Sequence, residues 1–460
     1  MNRTLAFVSL AGLLLVAALL LSPKRGGRSF ANLSVSAHEP ASGKALTLDA
    51  RITHPWTTGT RTEAYVTLEV RGRNDPVAER RPLHLALVID RSGSMHGAAL
   101  AHARAAALRI VARLRPDDRL SVVHYGSDVE VLPSSQMGPT AVERAQAFIR
   151  AIHDDGGTNL GGALEAASLE LRHSPLPARR VLLLTDGRPT EGVVESDELV
   201  QQVRGLRAEG VTLSAIGLGE DYQEDLLQAF ADVGGGAYGY LRDAEGLPGL
   251  FERELELATT TVAREVDLLL TAGPGVRVER VLGERGAPHE GGAHIRLPDI
   301  SAGQLERVVV AVTLSGTPEM FGLHPPLTAE LRWVDAQQVL PARLSEELAL
   351  TLTDDPARAE AERDPIAEGL AAQALAAEQV QLAAQDLELG DAATARERLG
   401  IGRRLLRAVP PGSDGGPAPL VDQLERHEAL IGAAPADRAA AVKELKREAQ
   451  RGLGRVGSTY

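Results

Sequence analysis

Residues 90–95 read DRSGSM and place a carboxylate and two hydroxyls on alternate positions, Asp90, Ser92 and Ser94. A nearly all-apolar run, LHLALVID (83–90), leads straight into them. Two later segments carry related chemistry. GGTNLGGAL (156–164) offers Thr158, and RRVLLLTDG (179–187) ends in Asp186 and a glycine. The five side chains all present oxygen. The chain has no Cys, and no His stands beside any of the five. Such a set suits a hard, six-coordinate cation, Mg²⁺ or Mn²⁺, rather than Zn²⁺. The competing reading makes them turn residues and helix caps, with Ser94 and Thr158 at helix starts. Two carboxylates brought together without a cation would, however, repel.

The elements needed to bring these residues together are legible in the pattern. LHLALVID, RLSVVHYG (119–126), RRVLLLTDG and VTLSAIGLG (211–219) are apolar enough for strands covered on both faces. Between and after them, helical spacing runs over about 97–115, 140–153, 160–173, 195–209, 222–232 and 246–258. Leu199, Val203 and Leu206 mark one sheet-facing helical stripe. Alternating strand and helix predicts an α/β domain over 81–258, a doubly wound and mainly parallel sheet flanked by helices. Ligands of such a sheet bind at the carboxyl ends of its strands. Asp90 and Asp186 both end strands there.

In this order, DRSGSM, GGTN and TDG resemble the von Willebrand factor type A family with its metal-ion-dependent adhesion site, in a bacterial-type protein. The likeness continues through RPDDRLSVVHYGSDVEVL (115–132) and EDLLQAFADVGGGAYGYLRDAEGLPGLFEREL (224–255). It implies that Asp90, Ser92, Ser94, Thr158 and Asp186 hold Mg²⁺ or Mn²⁺. The three hydroxyls would bind directly and the two acids mostly through water. A protein partner would then offer an Asp or Glu to the metal. This is binding rather than catalysis. The resemblance also allows a scaffold with a passive metal, or a substrate-recruiting subunit of an ATPase complex.

Flanking segments switch to period-two alternation, as in AYVTLEVRG (64–72), VRVERV (276–281), ERVVVAVTL (306–314) and LTAELRWV (327–334). They predict one β-sandwich, from 44–80 and 259–353, into which the α/β domain is inserted. Trp56 and Trp333 are expected in its core. The helix ending near 258 should run straight into the strand near Val262. From 354 to 460 the chain reads as an α-helical module. Leu375, Leu382 and Leu389 lie seven apart in it, and VPPGSDGGPAP (409–419) forms a linker.

Composition removes several functions. Lys plus Arg number 49 against 62 acids, a net charge of −13, with 3% aromatics. Nucleic acid is therefore not an expected partner. The only lysines are Lys24, Lys44, Lys443 and Lys446, so the α/β domain cannot build a phosphate-binding P-loop. Gly234, Gly236 and Gly239 match G-x-G-x-x-G but follow a helix, which predicts a flexible turn instead. His96, His124, His153 and His173 are scattered and read as packed or surface residues. The apolar run from Leu5 to Leu21 predicts a signal peptide or signal-anchor over 1–22, then a linker over 23–43. The body is expected to be extracytoplasmic, membrane-anchored or secreted.

Overall fold

The computed structural model describes residues 40–74, 81–176, 178–186, 188–218, 223–241, 246–284, 286–316, 326–409, 421–422, 424–425 and 435–453. The run at 5–21 and most of the 409–419 linker lie outside them. Among the described residues no helix is long and apolar enough to cross a membrane.

The chain opens with strands β1 (Ala41–Ser42), β2 (Leu46–Ile52), β3 (Trp56–Thr57) and β4 (Thr62–Gly72). The α/β domain follows as β5 (Leu83–Asp90), α1 (Ala98–Arg113), β6 (Arg119–Tyr125), β7 (Val129–Gln136), α2 (Pro139–Ala151), α3 (Leu160–Arg172), β8 (Ala178–Thr185), α4 (Ser196–Ala208), β9 (Thr212–Leu218), α5 (Glu224–Gly234), β10 (Gly235–Leu241) and α6 (Leu247–Thr260). Next come β11 (Thr261–Ala272), β12 (Val276–Val281), β13 (Gly286–His289), β14 (Gly292–Arg296), β15 (Ile300–Ser301), β16 (Leu305–Leu314), β17 (Leu327–Asp335), β18 (Pro341–Leu348) and β19 (Thr351–Leu352). Helices α7 (Pro356–Ala361), α8 (Pro365–Glu388), α9 (Ala392–Arg407) and α10 (Pro435–Gly452) end it.

The central sheet has the order β10-β9-β8-β5-β6-β7, parallel throughout except for the antiparallel edge β7. Sequence reading assigned no strand to 129–136, whose alternation is broken by its own bulge between Leu132 and Ser135, opposite Val122 and Leu120. Every residue of β5 is buried. Leu83, Leu85, Leu87 and Ile89 pack with α1, α2 and α6, while Ala86 and Val88 pack with α3, α4 and α5. This two-sided burial is why β5 reads as a continuous apolar run. The glycines at 234–239 form no flexible turn. Gly234 closes α5, Gly235 has φ 71°, and β10 passes tightly over β9. A Cβ on Gly236 would lie 2.2 Å from the Leu213 carbonyl oxygen.

The strands on either side of this domain form one sandwich. Its first sheet runs β1-β2-β4-β16-β12 and its second β13-β14-β11-β17-β18. β4 pairs with β16 along its length although more than two hundred residues separate them. Leu46, Val66, Leu68, Val310, Leu268 and Leu331 are among the side chains meeting between the sheets. Trp333 joins this core; Trp56 does not. Trp56 is only half-buried on the outlying β3, with the Arg358 guanidinium 3.9 Å over its ring. Helix α6 runs into β11 without an intervening residue. In the helical module the Leu375–Leu382–Leu389 row is not the seam, and Leu389 is exposed. Ala374, Ala377, Ala383, Ala384, Val380 and Leu387 are buried instead, because small side chains let the helices approach closely. Part of this face covers Val309 and Ala311 on the outer side of the sandwich.

A buried ion pair ties the sandwich to the α/β domain. Asp299 accepts hydrogen bonds from Arg207 Nη2 at 2.6 Å and from Thr212 Oγ1 at 2.5 Å. Burial would raise the Asp299 carboxyl, but the Arg207 charge and these bonds hold it below the usual carboxylate range. Its stabilisation is thus complete above the unfolded pKa of about 3.9 and is lost as pH falls below it. Asp299→Ala would strand the Arg207 charge. Urea unfolding near pH 7 should show a loss of about 3–5 kcal/mol. A loss under about 1 kcal/mol would show that the pair does not hold the joint.

Candidate metal centre

The strand order reverses between β5 and β8, since β6 lies on one side of β5 and β8 on the other. Helices leave the two sides on opposite faces, which opens a crevice at the strands' carboxyl ends. Asp90 and Asp186 stand at this reversal, at the ends of β5 and β8.

Asp90 is wholly buried. Its Oδ1 accepts from the Ser92 backbone N–H at 2.8 Å, and its Oδ2 from Thr185 Oγ1 at 2.6 Å. Burial pushes its carboxyl pKa up, while these bonds act the other way. Ser92 Oγ lies 3.1 Å from Ser94 Oγ, and Ser94 Oγ donates to Asp186 Oδ1 at 2.7 Å. Two loops thereby bring a line of oxygens together. Thr158 is buried on a third loop, held against the first by Gly93 N–H donating to Gly156 O at 3.1 Å. No hydrogen bond joins the Thr158 side chain to the other four residues.

Backbone bonds hold these loops in register. Arg91 N–H donates to Tyr125 O and Asp155 N–H to Arg91 O, both at 2.8 Å. Asn159 N–H donates to Gly126 O at 2.8 Å. Gly126 has to be glycine, for its Cβ would sit 2.0 Å from the Asp155 carbonyl oxygen. Below the loops, the buried Arg91 reaches Glu130 at 3.3 Å and Asp155 at 3.5 Å. Asp155 is thus a positioning contact as well as a turn residue. His96 is exposed and pairs with Asp154 at 3.0 Å, which holds that carboxyl below its usual range. His124 is buried near Glu130, and burial lowers its pKa to about 4.

The capping alternative fares poorly. Asn159, not Thr158, caps α3, its Oδ1 accepting from Gly162 N–H at 3.1 Å. Ser94 lies inside a 3-10 turn, Gly93–Met95, and makes no cap. Among the described residues no group of three or more His, Asp or Glu is placed to hold a metal. The five oxygens include only two carboxylates, so a site here rests on hydroxyls. The 3.1 Å spacing of Ser92 Oγ and Ser94 Oγ agrees with neighbouring ligands of an octahedral Mg²⁺, roughly 3 Å apart for bonds of about 2.1 Å. The two serine hydroxyls therefore fit such an ion, with Asp186 one hydrogen bond away. Sequence reading missed Thr185, although it directly precedes Asp186, and it missed the capping role of Asn159.

The von Willebrand factor type A domain family matches residues 84–253. The chain carries a von Willebrand factor type A domain. Domains of this family commonly mediate protein–protein interaction and adhesion. The chain is 28% identical over 242 residues to the uncharacterized protein YfbK of Escherichia coli (strain K12), covering 51% of this chain and 42% of that one. It is 32% identical over 158 residues to inter-alpha-trypsin inhibitor heavy chain H1 of Mesocricetus auratus, covering 32% of this chain and 17% of the relative. The chain thus spans less than half the length of these relatives. Among solved structures, a von Willebrand factor type A protein from Catenulispora acidiphila superposes with TM-score 0.65 at 18% identity, over 90% of this chain and 97% of that one. The ArnB paralog VWA2 from Sulfolobus acidocaldarius does so with TM-score 0.57 at 19% identity, over 89% and 99%. At these identities the likeness is one of fold. It extends well beyond the type A domain.

Asn159 and Thr158 can be told apart by substitution. Asn159→Ala should lower stability to urea by about 1 kcal/mol, as loss of a helix cap does. Thr158→Ser should stay within about 0.5 kcal/mol in metal-free buffer. The reverse order would make Thr158 the structural residue and weaken its place in the metal set.

Proposed function

We propose that the domain is a metal-dependent protein-binding module for adhesion or assembly, with Asp90, Ser92, Ser94, Thr158 and Asp186 holding Mg²⁺ or Mn²⁺. The observation that carries this reading is the oxygen line from Ser92 through Ser94 to Asp186, at the strand reversal of a type A domain. A bound cation supplies a Lewis-acidic position for a carboxylate oxygen of a partner's Asp or Glu. The chain's own residues keep that position electron-poor. Ser92, Ser94 and Thr158 offer neutral oxygens. Asp90 is aligned by the Ser92 N–H and the Thr185 hydroxyl, and Asp186 by the Ser94 hydroxyl. On this reading both acids orient hydroxyls or waters rather than neutralise the ion by direct contact. On this reading the site binds a partner rather than turning over a substrate.

Mg²⁺ titration of the full chain, followed by thermal melting, tests the site. Wild type should gain stability saturably, by RT ln(1 + [Mg²⁺]/Kd), and lose the gain in EDTA. Asp90→Asn, which keeps the shape and much of the hydrogen bonding, should abolish the gain. Ser92→Ala should weaken it less, because water can replace a hydroxyl but not a charge. Partner capture should follow the same order. Equal melting in Mg²⁺ and EDTA would sink the metal reading. Metal-induced stability with capture unaffected by EDTA would leave the cation a passive brace.

We also propose an extracytoplasmic location, with Leu5 to Leu21 as signal or anchor. Arg3 precedes that run, whereas Lys24, Arg25 and Arg28 follow it. Charges after the run oppose export of that flank, so the orientation has to be measured. A C-terminal fusion to an enzyme active only outside the cytoplasm should be active. Activity solely from a cytoplasm-specific reporter would reverse the assignment.

A further inference from the structure

Ser92, Ser94 and Asp186 orient one another through their side chains, whereas Thr158 is fixed through its main chain. Its N–H donates to Thr190 Oγ1 at 2.9 Å. Its carbonyl oxygen accepts from the Thr190 N–H at 3.1 Å and the Glu191 N–H at 3.4 Å. Both partners lie on the loop between β8 and α4, the loop that also carries Asp186. We propose that Thr190 is a positioning residue for the metal centre: with Glu191 and Ser127 it clasps the Thr158 loop and so sets the affinity for the cation. This role rests on the metal-binding reading above and extends it to residues outside the five ligands.

The residues on either side of Thr158 are anchored as well. Gly157 N–H donates to Ser127 Oγ at 2.9 Å, and Ser127 Oγ donates to Glu191 Oε1 at 2.7 Å. Asn159 N–H donates to Gly126 O. The N–H groups of 157, 158 and 159 thus each meet an acceptor on a neighbouring loop. The approach is close. A Cβ on Gly157 would lie 2.4 Å from Glu191 Oε1 and 2.9 Å from Thr190 Oγ1. Gly192 has φ 66°, and a Cβ there would lie 2.4 Å from Asn159 Oδ1. The 190–192 segment is therefore pressed onto 157–159, and Gly192 supplies the left-handed turn that allows it.

Such a clasp matters more to the cation than to the fold. Thr190 is exposed, and Glu191 and Ser127 are half-buried, so these bonds compete with water and add modestly to stability. A neutral hydroxyl attracts a divalent cation less than a carboxylate does. A loop that had to be ordered as the ion bound would subtract that cost from an already weak interaction. Fixing the Thr158 main chain at its N–H and its carbonyl removes the cost beforehand. A β-branched side chain then has few rotamers left to lose. The clasp also joins the Thr158 loop to the Asp186 loop, so that both meet the serine loop as one body.

Calorimetric Mg²⁺ titration of the full chain, with amide exchange over 157–159 in EDTA, tests the clasp. Thr190→Val removes the acceptor of the Thr158 N–H. It should speed exchange at 157–159 without metal and raise the Mg²⁺ Kd about tenfold or more, as loss of groups that orient metal ligands does. Thr190→Ser restores the hydroxyl and should return the Kd close to the wild-type value. Ser127→Ala breaks the link from Gly157 to Glu191 and should weaken Mg²⁺ in the same way; it decides if Thr190→Val does not fold. Thr53→Val removes a hydroxyl that likewise accepts a main-chain N–H, that of Tyr65 at 3.0 Å in the sandwich. It should lower Tm and leave the Kd unchanged. The proposal is overturned, with the metal reading intact, if a folded Thr190→Val keeps the wild-type Kd or if Thr53→Val weakens Mg²⁺ equally. A wild type that binds no Mg²⁺ overturns the metal reading and the clasp's role together.

Discussion

The reversal of strand order between β5 and β8 is the constraint on which the site depends. A parallel sheet must be covered on both faces, and at that reversal the covering helices leave in opposite directions. The gap between them is polar by necessity, because strand ends and loop amides there lack ladder partners. Asp90 fills it. Its two oxygens bond the N–H of the following loop and a hydroxyl at the end of the neighbouring strand. One buried carboxylate thereby ties β5, β8 and the serine loop together. Its pKa is pushed upward by burial, so the unpaired anion is a cost that a nearby cation would offset.

The same molecule solves a second problem, that of inserting one domain into another. β4 and β16 must pair across the whole inserted length, a contact with a large loop-closure cost. An inserted domain that folds by itself shortens that loop to the distance between its ends, which lie at the same edge of its sheet. The buried Arg207–Asp299 pair then fixes the angle of the joint. Because α6 passes directly into β11, a displacement of that helix has no slack linker to absorb it. The joint is in this sense rigid along the chain.

Much of this was legible in the residues. The apolar runs gave the central strands because both of their faces are buried, and period-two alternation gave the sandwich because one face is buried. Asp90 and Asp186 were legible through their place at strand ends. What escaped depends on contacts rather than periods. β7 is half-buried and carries a bulge of its own. Thr185 serves the site only because the sheet sets β8 beside β5. The helical module packs on alanines, so its leucine row misled: an Ala face is hardly more hydrophobic than its surroundings, and only close helix approach reveals it.

The helical module is held at more than one place, and this bears on how the domains can move. Its small-residue face rests on the sandwich, while Lys446 reaches Glu388 at 2.8 Å and Asp225 at 3.3 Å. Asp225 lies in the first turn of α5, which begins at the same sheet edge as the metal centre. Beside it, burial raises Glu224 to a pKa of about 7, with Lys446 and Lys443 opposing that rise. The module therefore spans from the outer face of the sandwich to the loop edge of the type A domain. Since α6 and β11 connect the same two bodies covalently, a rearrangement at the strand ends meets resistance at both the ion contact and the helix–strand junction. A small shift at that edge then has two outcomes: it is suppressed, or it moves the module and the sandwich together.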